Sequence, residues 1–353
     1  MTVYWLLLAF PAMMAVLFPE PKGRHGVSLA QASALAAFVA VYTLISLLRY
    51  KIGADWYAYD AMYSQAGNAS LLEGMAITDP LFALLLWISA QLGTDLYPVN
   101  AFCSLLLVIG VVRVALTTRE PWLAIAGAVP YLLIVVGLGY VRQAGAIGLI
   151  LIAISSLERG KRIRTIVYLA IAAGFHSSAV SVFPFVGLAL ANRNKLQIFL
   201  LATVGSIGFF FLLQRQFAYF ETTYLESDFE SSGALVRIAM SVVASLLLLV
   251  RWRSFAFPAH TRLVWLGFAA SNIAAFVILG TIQSSTAVDR LALYFAVVQV
   301  FVFGNIRELV GFARGFAPIM RLLVIALAVA VQLVWLVLAT HAEYWVPYRS
   351  VLT

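Results

Sequence analysis

The chain alternates apolar stretches of helix length with short polar links, and its arginines and lysines gather in every second link. That double alternation constrains the fold more than any motif does. A segment of about 20 apolar residues matches the hydrocarbon thickness of a bilayer. Within lipid, only helices and closed barrels satisfy every backbone polar group. The expectation is an all-α polytopic bundle. With 63% hydrophobic and only 11% charged residues, against roughly 25% charged in a soluble domain, the chain could not cover a water-facing surface.

Twelve crossings are expected, at 3–18, 28–48, 99–117, 121–139, 141–157, 163–176, 178–191, 196–213, 235–251, 262–281, 290–305 and 319–340. The first reads as a retained helix, because no basic residue precedes it and Lys22 and Arg24 follow. The pairs 121–139/141–157 and 163–176/178–191 also fit broken or partly inserted hairpins. Cytoplasmic links carry excess Lys and Arg. The links 19–27, 113–120, 158–164, 192–195, 251–262 and 306–321 are therefore placed inside. They hold Lys22, Arg24, Arg113, Arg119, Arg159, Lys161, Arg162, Arg164, Arg193, Lys195, Arg251, Arg253, Arg262, Arg307, Arg314 and Arg321, sixteen of the 23 basic residues. Both termini then face out, and so do the segments 49–98 and 214–234. The short run 80–93 has outside links on both flanks, which suits a re-entrant or interfacial helix better than a span. No repeat or second domain is visible, so 1–353 reads as one transmembrane unit.

A net charge of +8 could suggest nucleic acid, but the basic residues form neither a stripe nor a tail, and the sidedness of membrane links explains them. The single Cys103 rules out an internal disulfide and a cysteine metal cluster. His25, His176, His260 and His341 are scattered without ligand spacing, so no metal is expected. The phosphate loops and hydrolase motifs that carry nucleotide or acyl chemistry are absent, and no cofactor is expected.

What stands out is arginine on the outer side, where the charge rule should thin it. Arg142 opens a span with Gln143, Arg237 opens another, and Arg290 sits with Asp289 at the start of a third. Each alone is explained by snorkelling. Together they suit a pyrophosphate at the membrane surface, because guanidinium binds phosphate through paired hydrogen bonds. His176, in Gly174-Phe175-His176-Ser177-Ser178, ends an apolar run; it reads as a hydrogen-bonded cap or as a general base. Asp55 and Tyr59 lie four apart and share a face if their segment is helical. Asp289, Arg290 and Tyr294 can share another. Interfacial belts explain most of the tyrosines, although rings beside polar groups also suit stacking on sugars.

Arg49-x-x-x-Gly53-x-Asp55-x-x-x-Tyr59, Asp79-Pro80-Leu81-Phe82, Arg142-Gln143, Phe175-His176-Ser177-Ser178 and Pro347-Tyr348, in that order, resemble the EpsG-type branch of Wzy-like polysaccharide polymerases. The family's usual Gly-Thr-Asp reads Gly53-Ala54-Asp55 here, so any role of the threonine hydroxyl is lost. The resemblance implies a GT-C-like or Wzy-like bundle in the bacterial inner membrane. It also implies joining of undecaprenyl-diphosphate-linked oligosaccharide repeats into exopolysaccharide, capsule or O-antigen at the periplasmic face. A chain-length regulator and a flippase of the same pathway would be its partners. The catalytic residues expected are His176 or Asp55 as base and Arg142, Arg237 and Arg290 at the leaving group. Arg49, Tyr59, Gln143, Asp289, Tyr294 and Tyr348 are expected to contact substrate. An O-antigen ligase or a transporter of lipid-linked glycan stays open as an alternative.

Overall fold

A computed structural model describes residues 1–19, 28–191, 234–257, 260–279, 285–310, 314–339 and 341–352. In chain order the helices are α1 (Thr2–Leu17), α2 (Leu29–Leu48), α3 (Trp56–Gly67), α4 (Leu71–Ala76), α5 (Pro80–Gln91), α6 (Tyr97–Ala115), α7 (Pro121–Gly139), α8 (Val141–Glu158), α9 (Arg162–Phe175), α10 (Ser177–Leu190), α11 (Ala234–Val250), α12 (Arg262–Leu279), α13 (Ser285–Ala296), α14 (Val298–Gly304) and α15 (Ala317–Leu338). Among the described residues no strand occurs; Arg49 and Ser350 form an isolated antiparallel bridge. Six of the helices, α2, α6, α7, α8, α12 and α15, are long and apolar enough to cross a membrane. The protein is thus a helical membrane protein. Each expected crossing that lies in the described residues falls on helix. The segment 196–213 and nearly all of the link 214–234 lie outside them. One boundary differs: α13 begins at Ser285, so Asp289 and Arg290 lie on its second turn and not at a helix start.

Helix α7 is buried on every side, as its apolar residues all round require. Pro130 lacks an N–H, and the helix widens to a π-helical stretch from Val129 to Val136. Side chains fill the bonding gaps there. The Tyr42 hydroxyl donates to the Leu133 carbonyl at 2.8 Å and the Trp345 indole to that of Ile134 at 3.3 Å. Helices α6 and α8 cross at two glycines. A Cβ on Gly110 would meet the Gly148 carbonyl oxygen at 2.5 Å, so small residues set this close approach.

The polar links sort into two ends. At one, the Arg321 guanidinium grips Glu120 at 2.9 and 3.1 Å, with Arg307 at 3.6 Å. Arg119 meets Glu308 at 3.1 Å, and the Ala256 amide donates to Glu308. These all belong to the links grouped together by charge. At the other end, the Gly53 amide donates to the Tyr344 carbonyl and that of Tyr50 to Arg349. Helices α3, α4 and α5 lie at this second end. Tyr59 packs on Phe82, and the Trp87 indole donates to the Ala69 carbonyl. Helix α5 starts from Asp79, beside Arg142, and its following loop leads into α6, whose Asn100 accepts from Arg49. Both of its flanks therefore lie at one end of the bundle.

Helices α9 and α10 form a shallow hairpin. α9 has 14 residues, about 21 Å at 1.5 Å per residue, well short of a bilayer core of about 30 Å. His176, extended at φ −156° and ψ 118°, makes the turn. The start of α5 packs on this turn, with Leu81 against Gly174 and Asp79 bonded to His176 and Ser177, and these groups form a polar recess.

Candidate active site

Asp79, directly ahead of Pro80, is the hub of this recess. Proline at the first helical position fixes the entry of α5 and suits the residue before it to an extended conformation. Asp79 Oδ2 lies 2.9 Å from His176 Nδ1 and 3.2 Å from an Arg142 guanidinium nitrogen, while Oδ1 accepts from the Ser177 amide at 3.0 Å. Arg142 also donates to the Thr78 hydroxyl. Burial works to raise the pKa of Asp79. The His176 hydrogen bond, the Arg142 charge and the Ser177 amide outweigh it, and the carboxyl is held below its usual range. The carboxylate is therefore anionic at neutral pH, and it selects the histidine tautomer with hydrogen on Nδ1. The lone pair is then left on Nε2.

A second pair lies nearer the surface. Asp55 directly precedes α3, accepts from the Tyr59 hydroxyl at 3.3 Å and meets the Arg290 guanidinium at 3.6 Å. The Tyr59 hydroxyl lies 3.4 Å from the Arg142 amide, which joins the two pairs. The Gln143 side chain donates to the Arg290 carbonyl at 2.6 Å, fixing α13 against α8. One turn on, Tyr294 lies with its ring 6.5 Å from that of His176. Its buried hydroxyl sits beside Gln143 without a hydrogen bond of ordinary geometry among the described residues. The exposure grades outward, from 9% for the Asp79 side chain to 37% for Arg290.

The floor beneath this group is a close contact between the 49–55 loop and the α7–α8 turn. Gly53 has φ +102°, and a Cβ there would meet the Leu138 carbonyl oxygen at 2.5 Å and Gly139 Cα at 2.7 Å. Tyr140 alone separates α7 from α8, so Arg142 follows at once and its direction is set by that turn.

The structure therefore brings together Asp55, Tyr59, Arg142, Gln143, His176, Arg290 and Tyr294, all expected from sequence. Asp289 is buried on α13 within the same stretch. Arg237 falls on the first turn of α11, where side chains lie outside the described residues. Arg49 and Tyr348, expected at the substrate, bond groups of the protein frame. Arg49 is 1% exposed and donates to the Ile52 carbonyl at 2.5 Å, the Leu138 carbonyl and Asn100 at 2.6 Å. The two carbonyls lie just beyond the C-terminal end of α2 and at that of α7, where helix dipoles favour a cation, and Asn100 stands on the first turn of α6. The Tyr348 hydroxyl donates to the Ile45 carbonyl. Both residues tie framework segments together. Asp79 was missing from the expected site. The signal for it was its place in Asp79-Pro80, an acid at the mouth of a short helix between outer links.

The arrangement can do three things chemically. Two guanidinium groups can meet an anion, a carboxylate-oriented imidazole can take a proton, and tyrosines can pack on an apolar sugar face. Among the described residues no group of three or more His, Cys, Asp or Glu suits a metal ion.

A sequence model of the EpsG family matches residues 34–350. Comparison with curated proteins and with solved structures returns no match.

Proposed function

The chain belongs to the EpsG family, and on that premise we propose that it polymerises undecaprenyl-diphosphate-linked oligosaccharide repeats at the periplasmic face of the bacterial inner membrane. A hydroxyl of one lipid-linked repeat attacks the anomeric carbon of a second, growing chain. The new glycosidic C–O bond forms as the bond to the diphosphate breaks. The hydroxyl proton passes to Nε2 of His176, and undecaprenyl diphosphate leaves with the bonding electron pair. The observation that carries this reading is convergence. Arg142, Arg290 and the Asp79–His176 pair come from separate helices to one recess at the end of the bundle with fewer basic links. Charge builds up on the departing diphosphate, so fixed cations facing it contribute most; Arg237 is a third candidate for that role. His176 is favoured over Asp55 as base, because Asp55 is engaged by Arg290 and Tyr59 while Asp79 orients the imidazole. Tyr59, Gln143, Asp289 and Tyr294 line the substrate's path. The end holding Glu120 and Arg321 faces the cytoplasm, and a flippase and a chain-length regulator act beside the protein.

The test is the glycan profile of a deletion strain. Single repeats on lipid at the outer leaflet, without polymer, are expected. Repeats retained on the cytoplasmic leaflet would identify a transporter instead. Full-length polymer on lipid that fails to reach its final acceptor would identify a ligase.

A further inference from the structure

We propose that Asp79 is a positioning residue that locks the proton acceptor and the leaving-group clamp into one geometry, an inference that rests on the polymerase reading. One carboxylate oxygen serves both partners: Oδ2 lies 2.9 Å from His176 Nδ1 and 3.2 Å from Arg142. The other oxygen is occupied by the Ser177 amide, so the carboxylate cannot rotate without losing a bond. His176 stands in the break between α9 and α10, Arg142 on α8 and Asp79 at the head of α5. Three segments far apart in sequence thus meet on a single group of two oxygens.

The chemistry needs this registration. Attack and departure occur on opposite sides of one anomeric carbon, so proton acceptor and phosphate clamp must hold a fixed separation. Loss of either register costs rate steeply. When Nε2 takes the acceptor proton, the imidazolium forms with its Nδ1–H already directed at a carboxylate, which stabilises the new charge. The proton later leaves to water or to the departed diphosphate. The groups facing His176 are Asp79 from α5, Arg142 from α8, and Arg290 and Tyr294 from α13. Two of these are cations, which oppose imidazolium. Asp79 is the anion that makes protonation tolerable.

The experiment uses the full chain reconstituted in liposomes with an undecaprenyl-diphosphate-linked repeat. Asp79→Asn, His176→Gln and the double variant are compared with wild type across pH. An oriented base contributes about 10²–10⁴-fold, so Asp79→Asn should slow polymerisation by no more than His176→Gln does. The double variant should be slower than His176→Gln alone by less than Asp79→Asn is slower than wild type, because only the hold on Arg142 is left to lose. In Asp79→Asn the acid limb of the rate profile should move to lower pH, because the imidazole has lost its anion. Losses that multiply, with an unmoved limb, would overturn the inference. If Asp79→Asn does not accumulate, Asp79→Glu keeps the charge; a slower enzyme with the wild-type acid limb supports the inference, and a shifted limb refutes it. Wild-type protein that makes no polymer refutes the polymerase reading itself and is distinct from both outcomes.

Discussion

Replacing Gly53 by alanine separates the geometry of the recess from its chemistry, because the change adds one methyl and no charge. At φ +102° a residue with a Cβ carries a strain of about 1–3 kcal/mol. The methyl also meets backbone atoms, Leu138 O at 2.5 Å and Gly139 Cα at 2.7 Å. Neither can swing away as a side chain would, and overpacking of this kind costs about 1–3 kcal/mol more. The sum of about 2–6 kcal/mol is large against a typical net stability of about 5–15 kcal/mol. Relief comes by lifting the 49–55 loop off the α7–α8 turn. That displaces Asp55, two residues on, and frees the turn that aims Arg142. Gly93→Ala is the matched control. Its φ is +63°, but a Cβ there would meet nothing within 4 Å, leaving only the backbone strain of about 1–2 kcal/mol. Melting temperatures in detergent should fall in the order wild type, Gly93→Ala, Gly53→Ala, and only Gly53→Ala should lose polymer out of proportion to its abundance. If the two variants melt together and both make wild-type polymer, the close contact does not position the site.

Arg142→Ala and Arg290→Ala should each cut polymer sharply while the protein still inserts, and lysine should restore only part of it, since it cannot make the paired contact; polymer length on gels reads this. In a Cys103→Ala background, cysteines at positions 68, 94 and 343 should react with an impermeant thiol reagent from the periplasm, and one at 160 only after permeabilisation. Labelling of 68 and 94 from opposite sides would mean that α5 crosses. Glu120→Gln should lower the detergent melting temperature strongly, because a buried ion pair broken on one side costs about 3–5 kcal/mol. Glu120→Gln with Arg321→Met should lose less, and the acid limb of the rate profile should stay in place in both.

Much of the helical layout was legible because lipid leaves the backbone few options, and hydropathy reports burial in lipid directly. The two ends were legible too: Arg119, Arg307 and Arg321 meet Glu120 and Glu308 as the charge sorting implies. The i, i+4 pair Asp55 and Tyr59 followed from helical spacing once α3 was allowed. What spacing could not give was long-range pairing. Asp79 and His176 are 97 residues apart, and no local pattern says that the start of α5 packs on the turn after α9. Arg49 is ambiguous in sequence for a related reason. A guanidinium at a helix end reads the same whether it faces a phosphate or the carbonyls of another helix; only the neighbouring turn decides. The start of α13 was missed because Ser285 and Thr286 read as a link, whereas they form its first turn.

Each described arginine of the recess is matched by an acid, Arg142 by Asp79 and Arg290 by Asp55. A cradle of bare cations would hold a lipid diphosphate most firmly after the reaction, when its charge is greatest, and the spent carrier would block the next cycle. On the proposed reaction the paired carboxylates would compete for the same guanidinium hydrogens at every stage. They would weaken the grip on the carrier most once the sugar no longer helps to anchor it, so a site whose cations are already paired would favour turnover over retention.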